Sequence, residues 1–261
     1  METAVTPGET MTKKKTPTAS SSFRTRLYIV LVATRNPLNI GSVARAMSNF
    51  GFTHLRVVNP YDPAFREAKS AVGASALLKD AQEYNNVAEA VADCTLVVGT
   101  TSGHNRELDH ELRPLQEGGA SLHKSLRGGR VALLFGSEKR GLSNQDLSYC
   151  QWLIYIPTTG KQPSLNLAHA VALCLYELVR ESSRSEKKTK DSGATAADLD
   201  RLTAVMLDAL GTSGYLKPSV LAEEKIRKLV RRMNLSAEDA RLWLGILRQM
   251  LWKMLPPNTT R

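Results

Sequence analysis

Five short runs of apolar, β-prone residues recur along the first two thirds of the chain, and segments with helical periodicity fall between them. The runs are LYIVLVA at 27–33, HLRVV at 54–58, CTLVVG at 94–99, VALLF at 131–135 and WLIYI at 152–156. Runs such as LYIVLVA and VALLF are nearly continuous in apolar character, as strands buried on both faces are; a sheet with one wet face shows alternation instead. Between the runs, residues 39–50 place Ile40, Val43, Ala44 and Met47 on one helical face and stop at Gly51. Residues 63–78 read as helical with an interruption near Gly73, and 87–92 and 120–126 read as shorter helices. Residues 165–180 form the strongest helical pattern, with Leu167, Ala170, Val171, Cys174, Leu175 and Leu178 at core spacing. Strands alternating with helices predict an α/β fold: a parallel sheet with helices on both faces.

The two ends of the chain behave differently. Residues 1–25 are rich in Thr, Ser and Lys and have almost no large apolar residues, so they cannot offset the entropy of ordering and read as a disordered basic tail. Residues 181–194 (ESSRSEKKTKDSGA) are small and charged, as a linker is. After them the pattern is purely helical, at 196–210, 218–233 and 236–255, with Ser236 and Asp239 in the spacing of a capping box. The expected organisation is a tail (1–25), an α/β domain (26–182), a linker (183–195) and a small all-helical module (196–261).

Charge narrows the partners. Thirty-five Lys and Arg oppose 25 Asp and Glu, leaving +10 among 261 residues. Such an excess favours a polyanion, nucleic acid before an anionic membrane surface, and leaves open a basic surface with no such ligand. The three cysteines, Cys94, Cys150 and Cys174, are odd in number and far apart, which fits a reducing compartment and offers no zinc-ligand spacing. The start of the chain has no apolar stretch of the secretory type, and no run approaches the ~18 residues of a membrane span. A cytoplasmic protein without metal or membrane attachment is the simplest expectation.

In an open parallel sheet, ligand sites lie beyond the carboxyl ends of the strands. Four loops qualify: 34–45 (TRNPLNIGSVAR), 99–103 (GTTSG), 133–143 (LLFGSEKRGLS) and 156–166 (IPTTGKQPSLN). In the first, a helix N-terminus with Asn39 and Arg45 can hold an anion, although ordinary capping by Asn39 beside a surface Arg accounts for the same residues. The third lacks the P-loop pattern, and no GxGxxG follows a strand, so nucleotide sites of those two types are unsupported. In the fourth, Ser164 and Asn166 stand where a helix cap belongs. His169 reads as structural, and His104, Asp109 and His110 match no metal site.

Together, NIGSVARAM (39–47), LLFGSEKRGLS (133–143) and IPTTGKQPSLNLAHAVALCLYE (156–177) closely resemble, in order and spacing, the three motifs of the SpoU/TrmH branch of the SPOUT methyltransferases. The helical module, with GYL, IRKLVRRMNL and WLGILRQML, resembles that of the TrmJ type, tRNA ribose 2′-O-methyltransferases that act in the anticodon loop at cytidine or uridine 32. The resemblance implies a C-terminal trefoil knot (the SPOUT fold), S-adenosyl-L-methionine held by the knot loops, and a homodimer with the active site at or near the subunit interface. By matching positions, Thr101, Ser102, Gly103, Gly136, Ile156, Ser164 and Leu165 are the expected cofactor residues. Arg45 matches the arginine implicated in catalysis, and Asn39, Glu138, Ser164 and Asn166 match positions that shape the site.

The chemistry suits these residues. A ribose hydroxyl is a weak nucleophile, so alignment and stabilisation of developing alkoxide charge supply much of the rate. A guanidinium, with a pKa above about 12, is a poor base, so Arg45 is expected to bind phosphate and stabilise that charge. tRNA is the expected partner, with rRNA or a catalytically silent RNA-binding dimer as alternatives. RNA binding is assigned to Lys225, Arg227, Lys228, Arg231 and Arg232, five bases without an acid between them; a merely solvated helical face is the competing explanation.

Overall fold

The five apolar runs become the five interior strands of a seven-stranded sheet. The structure is a computed structural model that describes residues 23–70, 76–102, 109–159, 164–182, 193–216 and 219–254. Residues 1–22 of the expected tail and 183–192 of the expected linker lie outside the described residues, whereas the last residues assigned to the tail are ordered: Phe23 is buried in the main core and Arg24–Arg26 form a 3-10 turn that leads into β1. The strands are β1 (Leu27–Val32), β2 (His54–Val58), β3 (Gln82–Tyr84), β4 (Leu96–Thr101), β5 (Leu112–Pro114), β6 (Val131–Phe135) and β7 (Trp152–Tyr155). They lie in the order β3-β2-β1-β6-β4-β7-β5, and every pairing is parallel.

The helices are α1 (Pro37–Phe50), α2 (Asp62–Ser70), α3 (Ala76–Lys79), α4 (Val87–Val91), α5 (Leu115–Ser125), α6 (Asn144–Leu147), α7 (Leu167–Ser182), α8 (Ala196–Thr212), α9 (Val220–Arg232) and α10 (Ala237–Met254). Strand alternation sends Leu27, Ile29 and Leu31 to one face, where α1, α2, α5 and α7 cover them. Tyr28, Val30 and Val32 go to the other, under α4, α6 and the start of α8. Both faces are therefore dry, which is why β1 and β6 read as continuous apolar runs.

Four elements depart from the expectation, each for a local reason. β3 (QEY) and β5 (LRP) are the two edge strands. Short polar edges leave no apolar run, so neither β3 nor β5 stands out in the sequence. α1 starts two residues early because Asn36, not Asn39, is its cap: the Asn36 side chain accepts from the Leu38 N–H at 3.0 Å, and Pro37 takes the first helical position. α5 begins at Leu115 rather than near 120, its first turn masked by Gly118 and Gly119. Packing explains Gly118, since a Cβ there would lie 2.7 Å from Cγ1 of Ile154.

The amino ends of the strands carry a clamp. Arg56, 4% exposed on β2, donates to both carboxylate oxygens of Asp93 at 2.6 and 2.9 Å. Arg130, just before β6, donates to the same carboxylate at 2.6 Å. The Arg56 guanidinium lies 3.8 Å from the ring centre of Tyr28, which stacks on His54. Burial pushes the Asp93 carboxyl up, but its bonds to Arg56 and Arg130 and their charges outweigh that and bring it down to about 2. The unfolded carboxyl takes up a proton near pH 4, so this contribution to stability is full above that pH and drains away as pH falls to about 2. The Asp93 side chain is 36% exposed and water screens it, so the contribution is about 1 kcal/mol. In urea titrations between pH 5 and pH 2, Asp93→Asn is expected to flatten the acid loss of stability relative to the parent; parallel curves would remove the clamp from this role.

Helices α8–α10 enclose a core of their own, centred on Leu199, Leu202, Val230, Ala240 and Leu247. Backbone bonds seat the start of α8 on the α/β unit: Ala196 N–H donates to Cys94 O at 2.7 Å and Ala197 N–H to Ala92 O at 3.0 Å. The Asp239 N–H donates to Ser236 Oγ at 3.1 Å, as the sequence spacing predicts. All three cysteines are buried and unpaired, and burial pushes the thiols of Cys94 and Cys174 up to about 12. No helix among the described residues is long and apolar enough to cross a membrane.

Candidate active site

β6, β4 and β7 are neighbours in the sheet, so the loops leaving their carboxyl ends meet. Between them lies a cavity of about 300 Å³. Thr100, Thr101 and Ser102 line it from β4; Gly136, Ser137, Glu138, Lys139, Arg140, Gly141 and Leu142 from the loop after β6; Ile154, Ile156, Ser164 and Leu165 from β7 onward. Leu147 of α6 and Leu167 and Ala170 of α7 complete the wall.

The β6 loop is a tight reversal. Gly141 N–H donates to Ser137 O at 2.8 Å, and Gly141 takes a left-handed φ of 67°. A Cβ on Gly136 would collide with the backbone of Gly141 and Leu142, so only glycine permits the reversal to close this tightly. The loop then feeds α6 through a reciprocal cap between Ser143 and Asp146.

Glu138 faces α1. Its carboxylate accepts from Asn39 Nδ2 at 3.0 Å and from the backbone N–H groups of Asn36 at 3.3 Å and Arg35 at 3.4 Å. An anion at a helix N-terminus is favourable because the unpaired amides point at it. Asn39 Oδ1 in turn accepts from Asn166 Nδ2 at 2.9 Å, and Asn166 Oδ1 accepts from the Ala168 N–H at 2.9 Å, capping α7. The chain Glu138–Asn39–Asn166 thus ties together the loops after β6, β1 and β7. For Asn166, capping and membership of the site hold at once.

Of the expected cofactor residues, Thr101, Ser102, Gly136, Ile156, Ser164 and Leu165 line one cavity. Gly103 lies outside the described residues, as do 160–163. Of the expected catalytic residues, Glu138 and Ser164 line the cavity, and Asn39 and Asn166 join it through hydrogen bonds. Arg45 does not. It is exposed on the side of α1 opposite Ile40, Val43, Ala44 and Met47, and no side-chain partner holds it among the described residues. Sequence reasoning missed Ser137, Lys139 and Arg140 as cavity residues. The two glycines at the ends of their turn were the available signal, since a turn that tight must present its middle residues.

The basic cluster needs correction. Lys225 and Arg232 are exposed, but Arg231 is fully buried and Arg227 is nearly so. Arg231 donates to Asp200 at 2.7 Å, and Arg227 donates to Ser148 Oγ at 3.0 Å and pairs with Glu223. The Arg227 guanidinium lies 4.5 Å from the ring centre of Tyr149. Two of the five bases therefore face inward, where the long stems pack and the charges are paired. Lys228, its side chain 16% exposed, reaches Asp109 at 3.5 Å.

The cavity lies beyond the carboxyl ends of a parallel sheet, where α/β proteins hold their ligands, and residues 26–176 match the SpoU rRNA methylase family. The chain belongs to that family. Within it, the resemblance is to the TrmJ type. The chain is 35% identical over 234 residues to a protein of Sodalis glossinidius named tRNA (cytidine/uridine-2′-O-)-methyltransferase TrmJ, covering 86% of this chain and 89% of that one. A protein of the same name from Salmonella typhimurium is 32% identical over 85% of this chain and 94% of its own. Among solved structures, TrmJ from Z. mobilis superposes with a TM-score of 0.74 at 30% identity, over 85% of this chain and 98% of that one. A putative methylase family protein from Neisseria gonorrhoeae gives 0.62 at 27% identity, over 74% and 99%.

Proposed function

We propose that the chain transfers a methyl group from S-adenosyl-L-methionine to a ribose 2′-OH of tRNA, at a cytidine or uridine in the anticodon loop (position 32), as a cytoplasmic homodimer. The observation that carries this reading is one cavity lined by the second and third motif loops, with Asn39 of the first motif hydrogen-bonded to Glu138 in its wall, in a chain similar along most of its length to tRNA methyltransferases.

The cavity suits the cofactor. Its volume is at the lower end of small-molecule sites, and it offers hydroxyls and an apolar wall of Leu142, Leu147, Ile154, Ile156 and Leu165. The glycine cradle at 136 and 141 lets a ligand approach the main chain. When bound, S-adenosylmethionine supplies a methyl group on a sulfonium. Thr101, Ser102, the 136–142 backbone, Ile156, Ser164 and Leu165 would hold it, and the trefoil knot is the part of this reading that gathers those loops. Glu138, Asn39 and Asn166 keep the loop mouths in register. Arg45 binds the phosphate beside the acceptor and stabilises charge developing on the 2′-oxygen. Its exposed position on α1, beside the exposed Leu38, suits an arginine that serves the partner subunit's cavity. Lys225, exposed on α9, contributes to gathering the polyanion.

Nucleoside mass spectrometry tests the reading. After incubation of unmodified tRNA with the enzyme and methyl-deuterated cofactor, labelled 2′-O-methylcytidine or 2′-O-methyluridine is expected in the anticodon-loop fragment. Label confined to ribosomal RNA would change the substrate, and no label in either would overturn the assignment.

A further inference from the structure

Helix α9 carries the bases that sequence reasoning gave to RNA, yet three of its side chains grip the outer ends of two cavity walls. Arg227 donates to Ser148 Oγ at 3.0 Å and stacks over Tyr149, the two residues that follow α6. The residue before them, Leu147, lines the cavity. The next residue of α9, Lys228, reaches the Asp109 carboxylate at 3.5 Å, and one turn further along Arg232 donates to the Asp109 carbonyl at 3.3 Å. Asp109 leads into β5, and the Glu111 carbonyl accepts from the Leu153 N–H at 2.9 Å, so this segment is bound to β7, whose Ile154 lines the cavity. Between the two grips, the buried His110 shares a hydrogen bond with the backbone of Leu147, joining the Asp109 segment to α6.

The wall behind these grips has no slack. A Cβ on Gly99 of β4 would stand 2.8 Å from Leu153 Cδ2, 3.0 Å from Cys150 Sγ and 3.2 Å from Leu147 Cδ2. A shift of α6 or β7 must therefore move the cavity lining, because packed side chains have nowhere else to go. Arg231 anchors α9 on its other side: fully buried, it donates to Asp200 of α8 at 2.7 Å.

We propose that α9 is a positioning element of the cofactor cavity, with Arg227, Lys228 and Arg232 setting the spacing between α6 and the β5–β7 edge and hence cofactor affinity. The inference rests on the cavity being the S-adenosylmethionine site. It gives the helical module a second task besides presenting charge, and it separates the bases of α9 that hold neighbouring segments from Lys225, which is exposed.

Calorimetric titration of the full-length chain with S-adenosylhomocysteine tests it, at a temperature where circular dichroism shows every variant folded. Lys228→Ala/Arg232→Ala and Arg227→Ala are each expected to weaken binding roughly tenfold, the size of effect that remote positioning residues exert. Arg227→Lys is expected to recover part of the loss. In steady-state methylation the KM for cofactor is expected to rise while kcat at saturating cofactor stays near the parent value. If Arg227→Ala does not fold, the double variant decides, because its two side chains reach outward from the helix surface. A lowered Tm with unchanged affinity would overturn the inference and leave α9 a purely structural helix. A parent protein that takes up no S-adenosylhomocysteine would overturn the cofactor reading itself, and the inference with it.

Discussion

Gly136→Ala is expected to empty the cavity of its ligand. The added methyl meets the backbone of Gly141 and Leu142, not a side chain that could rotate away. The reversal from Ser137 to Gly141 must then open, which carries Ser137, Glu138 and Leu142 off the cavity wall and strains the bond between Gly141 N–H and Ser137 O. Forcing a group into a closed-packed site costs about 3 kcal/mol at the upper end of ordinary cases, or roughly two orders of magnitude in affinity. Calorimetry with S-adenosylhomocysteine reads this directly. Gly211→Ala is the matched control: it lies in α8 with open space around the added methyl, and the cofactor affinity is expected not to change. Equal affinity for Gly136→Ala and its parent would mean that the β6 loop does not form the site.

Arg45→Ala is expected to behave in the opposite way, keeping cofactor affinity while losing turnover. The residue is exposed and outside the cavity lining, so its removal disturbs neither the core nor the three loops. Loss of a group that stabilises developing oxyanion charge costs about 10²–10³ in kcat. Where Arg45 acts can be read by combining the two variants. If it serves the partner subunit, a mixed dimer of Arg45→Ala and Gly136→Ala chains contains one intact cavity faced by one intact arginine. Random pairing then restores about a quarter of the parental activity, although neither variant alone is active. If Arg45 serves its own cavity, no mixed dimer has a working site and co-expression restores nothing.

Much of this architecture was legible in the residues, and the failures have physical causes. The interior strands announced themselves because burial on both faces demands unbroken apolar runs. The edge strands QEY and LRP did not, since an edge needs no such run. Gly118 hid the start of α5, because its reason is a close approach to Ile154, a residue 36 positions away. The cavity residues were found by resemblance and not by periodicity. Spacing alone could not have joined Glu138 to Asn39 and Asn39 to Asn166, contacts that span about a hundred residues or more. Arg227 and Arg231 turn inward for a reason the sequence does not carry: charge can be counted in one dimension, but the direction of a side chain depends on the helix's neighbours. Arg231 is the clearest instance, a cation placed at the centre of a packed interface.

The Asp93 clamp and the cavity lie at opposite ends of the same parallel strands, and they share no side chain. Substitutions at well-separated sites without common partners combine nearly additively. Outside the Gly136–Gly141 turn and the Glu138–Asn39–Asn166 chain, positions in the loops after β4, β6 and β7 can therefore change in sequence, testing other acceptors or other approach angles, while the far end of the sheet keeps its stability unchanged. A lineage on this scaffold can thus alter which nucleotide it marks by changing loops alone, and engineering a new target has the same freedom.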